Sequence, residues 1–117
     1  MNLIELIDAL MRFDALTARQ WVSDAQRTGL VWADVPRPQG LSLEELAVAA
    51  GVAELLADRA GQSPPLWTSQ VSESPRPIYL VRAALSMPRL RRLCELEGPE
   101  PLRRRQVLAP PEFLSVA

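Results

Sequence analysis

Two arginine runs hold the residues best suited to chemistry in this 117-residue chain. The first is Arg89, Arg91 and Arg92; the second is Arg103, Arg104 and Arg105. The planar guanidinium fork suits carboxylates and phosphates better than an ammonium does. The chemistry on offer is therefore recognition of an anion. Three consecutive arginines on a helix point about 100° apart, so one run cannot aim all its charges at one partner. Glu44, Glu45, Glu54 and Asp58 follow one helical segment, and Glu54 and Asp58 are one turn apart. Carboxylates spread along a helix are expected to form a solvated face. Cys94 lies on a predicted apolar helix face and reads as a small buried hydrophobe.

Composition removes most catalytic classes. There is no histidine, no lysine and a single cysteine, which excludes His-dependent catalysis, His or Cys metal sites and an internal disulfide framework. No phosphate-cradling loop, dinucleotide fingerprint or nucleophile elbow occurs. The expectation is a non-enzyme with no catalytic, metal or cofactor-binding residues. Hydrophobic residues at 48% and charged residues at 23% are ordinary for a globular domain. No apolar run reaches the roughly 20 residues that span a bilayer. The N-terminus is acidic and lacks the basic start of a signal peptide, so a cytoplasmic location is expected.

The net charge of −1 hides an asymmetry. Residues 1–75 hold five arginines against ten acids, whereas residues 76–105 hold eight against three. Two consequences are open: the halves attract each other within one fold, or the basic half faces an acidic partner or a phosphate backbone.

Periodicity supplies the elements that would position these residues. Leu3, Ile4, Ile7, Leu10 and Met11 share one face of a helix over 2–13. Thr17 and Gln20 have capping-box spacing for a second helix carrying Ala18, Trp21, Val22 and Ala25, which Gly29 stops. Residues 30–40 are turn-rich, with Trp32 and Val35 turned toward the first helices. Ser42 and Glu45 form a second capping box, and Gly61 ends the longest helix in the chain. Its stripe (Leu46, Ala49, Ala50, Ala53, Leu56, Ala57, Ala60) is mostly alanine, which permits close helix approach. Gly51 at its middle costs about 1 kcal/mol relative to alanine.

The second half is jointed by most of the eleven prolines. Residues 62–77 read either as a flexible linker or as an ordered arm pinned by Trp67, and the tryptophan favours the arm; 78–81 fit either an extended segment or a helix start. Ser86 is placed to cap a helix with Pro88 in its first turn. Leu90, Leu93, Cys94 and Leu96 mark that helix's buried side, and Gly98 ends it. A final short helix over 102–107 precedes a tail anchored by Phe113 and Leu114. The architecture expected is a single all-α domain of about five helices with a Pro-rich extended arm. Its parts are an acidic helical layer (1–61), the arm (62–85) and a basic helical C-terminal segment (86–117).

Several of these C-terminal residues also carry a resemblance. Trp67, Thr68, Glu97, Pro99, Leu102, Arg103, Arg105, Phe113, Leu114 and Ala117 fall in an order similar to the tail of small uncharacterised bacterial proteins found beside nucleotidyltransferase-like toxins. That resemblance implies an antitoxin, which binds its toxin through protein–protein contact. On this reading Trp67, Arg89, Arg92, Arg103, Arg104, Arg105 and Phe113 are the partner-binding residues. Arg103 to Arg105 would meet the partner's acidic metal-binding carboxylates. Two further functions are compatible with the residues: a nucleic-acid-binding regulator using the basic half, and a homodimer built on the alanine-rich helix.

Overall fold

The computed structural model describes residues 2–115; Val116 and Ala117, the latter part of the resemblance above, lie outside them. Five α-helices run in order: α1 (Leu3–Met11), α2 (Ala15–Arg27), α3 (Leu43–Arg59), α4 (Pro88–Glu97) and α5 (Glu100–Arg103). Short 3₁₀ turns at Trp32–Asp34, Leu66–Gln70 and Arg82–Leu85 fill the connections. The domain is mostly helical but not purely so. Strands β1 (Ile78–Tyr79) and β2 (Val107–Leu108) pair in parallel, with Ile78 opposite Val107 and Tyr79 opposite Leu108. The undecided 78–81 segment is thus extended, and the expected helix over 102–107 stops at Arg103. Its second half is needed as a strand, and Gln106, at φ 61°, turns the chain between them.

The start of α3 follows the capping box: the Ser42 hydroxyl accepts from Glu45 N, and the Glu45 carboxylate accepts from Ser42 N. Gly61 takes φ 69°, a left-handed value that favours glycine. The stripe, however, is a full collar. Every residue from Ala47 to Ala57 is buried, including Val48, Val52 and Leu55 outside the expected face. A helix apolar on all sides belongs inside a fold rather than on its edge. α1, α5 and the Leu66–Gln70 turn all pack on α3. α5 comes closest at Gly51, where a built Cβ would meet Leu102 Cδ2 at 2.8 Å and the Pro101 carbonyl at 3.1 Å. The alanine face predicted for a homodimer is therefore covered from within the chain.

α2 begins earlier than expected. Asp14, not Thr17, is its cap, accepting from Thr17 N at 3.1 Å, and Gln20 bonds Asp24 instead of closing a capping box. The hydrogen bonds to Asp14 hold its carboxyl below the usual range. α1 packs against α2, and Trp21 meets Trp32 with ring centroids 6.0 Å apart. Gln62, just past α3, clamps the intervening loop by accepting from Trp32 N at 2.8 Å and donating to the Leu30 carbonyl at 3.0 Å.

α4 sits over a smaller apolar cluster of Ala84, Cys94 and Leu108, with Tyr79 and Leu90 against it. Met87 occupies its cap position without a side-chain bond, so Ser86 does not cap, while Pro88 does open the helix. Leu96, expected on the buried side, is 56% exposed.

Candidate partner interface

Arg105 is the largest departure from the expected partner surface. It is 5% exposed. Its guanidinium donates to both carboxylate oxygens of Glu54, at 2.5 and 3.0 Å. The same two terminal nitrogens also reach the Thr68 carbonyl at 2.8 Å and the Pro101 carbonyl at 3.1 Å, while the buried Nε–H has no partner among the described residues. Arg105 therefore bolts α3, the Leu66–Gln70 turn and α5 together, and it is not a contact for a partner. Glu54 corrects a second expectation. It is 7% exposed rather than solvated, and Asp58, one turn on, is exposed. Arg104, half exposed, also pairs with Glu54. Burial alone would raise the Glu54 carboxyl, but hydrogen bonds from Arg105, Thr68 and Arg104, with the charge of Arg105, prevail and hold it below its usual range.

Arg103 turns back along its own segment, donating to the Leu96 carbonyl and pairing with Glu100 at 2.7 Å. The three consecutive arginines do diverge as helical geometry requires, and two of them meet on one carboxylate. Glu54 was missed because its partner lies 51 residues away. One local signal was present: Ala47, Ala50 and Ala57, at i−7, i−4 and i+3, surround it with apolar residues on its own face.

Trp67 is half-buried rather than a free anchor. Its indole N–H donates to the Val35 carbonyl at 2.9 Å, and the ring packs on the main core. It pins the 62–77 segment to the 30–40 loop. Phe113 is also half-buried against that core, and Arg59 holds the tail through the Phe113 and Pro111 carbonyls. Cys94 is buried, which pushes its thiol up and away from the reactive thiolate form.

Arg89 and Arg92 are different. Both are exposed, and neither makes a hydrogen bond or ion pair among the described residues. The neighbouring Arg91 donates to the Ala84 and Leu85 carbonyls at 3.1 and 2.7 Å and so ties α4 to the turn before it. Of the seven residues expected at a partner surface, the structure places Arg89 and Arg92 together on one open face. It folds Arg105 and Trp67 inward and leaves Arg103, Arg104 and Phe113 partly exposed but engaged.

No helix among the described residues is long and apolar enough to cross a membrane. Comparison of the chain with protein-family models, with curated proteins and with solved structures finds no match.

Proposed function

We propose that this chain is a non-catalytic protein–protein interaction module, in its concrete form a bacterial antitoxin or regulatory small subunit that binds and occludes a partner protein. The observation that carries this reading is the pair of unengaged guanidiniums on α4, in a chain that otherwise uses its basic segment internally. A residue type this adept at bidentate recognition, left free beside exposed leucines, fits an interface anchor. A sequence without histidine or lysine, whose one thiol is held protonated by burial, speaks against catalysis.

Nucleic-acid binding is the weaker reading. Phosphate-driven binding scales with the number of free cations. In the basic segment Arg76, Arg91, Arg103, Arg104 and Arg105 are already engaged within the chain.

Co-expression with the product of the adjacent gene tests the proposal. A stoichiometric complex that survives gel filtration is the expected result. A monodisperse monomer that ignores that product overturns the antitoxin form.

A further inference from the structure

The guanidiniums of residues 76–105 divide by what they touch. Arg76 pairs with Glu44 at 2.7 Å, joining the basic segment to α3. Arg82 lies over the Phe13 ring, 5.1 Å from its centroid. Arg91 and the 103–105 run are engaged as described above. Only Arg89 and Arg92 remain. They are three residues apart on a ten-residue helix, and Leu96 follows Arg89 by seven. At 100° per residue Leu96 falls about 20° from Arg89 and about 40° from Arg92 around the axis. Leu96 is 56% exposed, and Leu85 and Met87, just before the helix, are 53% exposed each. Cys94, on the far side, is fully buried. A shallow depression of about 330 Å³ borders this face, lined by Pro88, Arg89, Arg91, Arg92 and Glu95 and not by Leu96. The Glu95 carboxylate there already accepts from the Tyr79 hydroxyl.

We infer that this face of α4 is a docking surface for an acidic amphipathic helix of a partner protein. The inference rests on the partner-binding reading above and moves the main contact from Arg103–Arg105 to α4. Two chemistries meet on the face, and the occupant must answer both. Free guanidiniums call for carboxylates in fork geometry. Exposed Leu96 on the face, with exposed Leu85 and Met87 in the segment just before the helix, calls for apolar side chains, and a partner helix supplies both along its i, i+3, i+4, i+7 rows.

Nucleic acid answers only the first. A phosphate-driven complex typically uses about 6–10 phosphate contacts, whereas this face offers two free cations. Glu95 and Glu97 lie on the same short helix and oppose a polyanion. A second copy of the chain is also disfavoured. A closed pair would have to lay α4 antiparallel on its twin, with Arg89 and Arg92 on Glu95 and Glu97, but Glu95 is already held by the Tyr79 hydroxyl.

The test uses the full chain and a fluorescein-labelled helical peptide of about 18 residues, with leucines at i, i+3, i+4 and i+7 flanked by glutamates. Its lysine-for-glutamate counterpart and a labelled DNA duplex serve as comparisons. Anisotropy should show saturable binding of the acidic peptide, and none of the lysine peptide. The double variant Arg89→Glu/Arg92→Glu should weaken it by about tenfold or more, and Leu96→Ser by a smaller factor. Both variants alter exposed side chains, and circular dichroism should show an unchanged fold.

Absence of saturable binding overturns the inference. So does equal affinity in the double variant, displacement of the peptide by duplex DNA, or self-association lost in the variant by light scattering. The adjacent gene product separates this inference from the function it rests on. If that product binds wild type and double variant alike, the docking face is wrong and the antitoxin reading stands. If it does not bind while the acidic peptide does, the face stands and the antitoxin reading falls.

Discussion

The two arginine runs hold three arginines each and meet opposite fates. In the 103–105 turn the guanidiniums close on the chain itself, and Arg105 disappears beneath α5 onto Glu54. On α4, Arg91 ties down the preceding turn while Arg89 and Arg92 stay in water. The difference lies in what each run faces. The 103–105 run starts on the last residue of α5, which Gly51 admits to within contact of the central helix. There a buried carboxylate is waiting. α4 rests on a small apolar cluster, and among the described residues no carboxylate pairs with Arg89 or Arg92, so these two cations turn outward. Arginine-rich sequence is thus as much a fold device as a surface device, and only the location of a counter-charge decides between them.

Substitutions can break this contrast. The largest effect is expected from Glu54→Ala, which strands Arg105 as a buried, unpaired charge. Removing one partner of a buried pair costs about 3–5 kcal/mol, a large share of the roughly 5–15 kcal/mol that holds a domain folded. Urea denaturation should show it directly. Replacing both partners, Glu54→Leu with Arg105→Met, should recover most of the loss, since apolar isosteres often match a buried ion pair.

The same pair sets an acid limit. The folded carboxyl of Glu54 lies below its unfolded value, so the unfolded chain binds more protons in the acid range. Its contribution is complete above the unfolded value and is lost as pH falls through the folded one. Stability measured from neutral to acid pH should fall there, and Glu54→Gln should flatten that part of the curve.

Gly98→Ala comes next. A Cβ there would lie 2.5 Å from the Ala109 carbonyl and 2.6 Å from that of Cys94, both backbone atoms. Overpacking of this kind typically costs about 1–3 kcal/mol, read as a lower urea midpoint. Trp67→Phe should cost about 1 kcal/mol through the lost bond to the Val35 carbonyl. Arg89→Ala and Arg92→Ala should each stay within about 0.5 kcal/mol of wild type. A larger loss at either would mean that α4 is tied down after all, and the contrast between the runs would shrink.

Features set by near neighbours were legible in the sequence. The α3 capping box needs only Ser42 and Glu45, three residues apart, and both bonds form. Pro88 opens α4 for an equally local reason. Even local rules can tie: Asp14 and Thr17 both qualify as caps, and the pattern alone did not choose Asp14. What escaped was non-local. The Ile78–Val107 pairing joins segments 29 positions apart, each too short to show a period. Glu54 escaped for a related reason, because an apolar collar around a helix blurs the face on which a charge stands. On the candidate interface, sequence drew the arginines and Trp67 into one group. Their separation into inward and outward members depends on Glu54 and on the Val35 carbonyl, neither of which any local pattern names.

The Glu54–Arg105 bolt also orders events in time. Synthesis runs from the N-terminus, and the central helix emerges long before its counter-charge. Until residue 105 has been added, α3 must either expose its apolar collar or bury an unanswered carboxylate. A chain cut short before Arg105 should therefore remain open to proteases. The central helix thus waits on a residue made 51 positions later before its buried charge is answered.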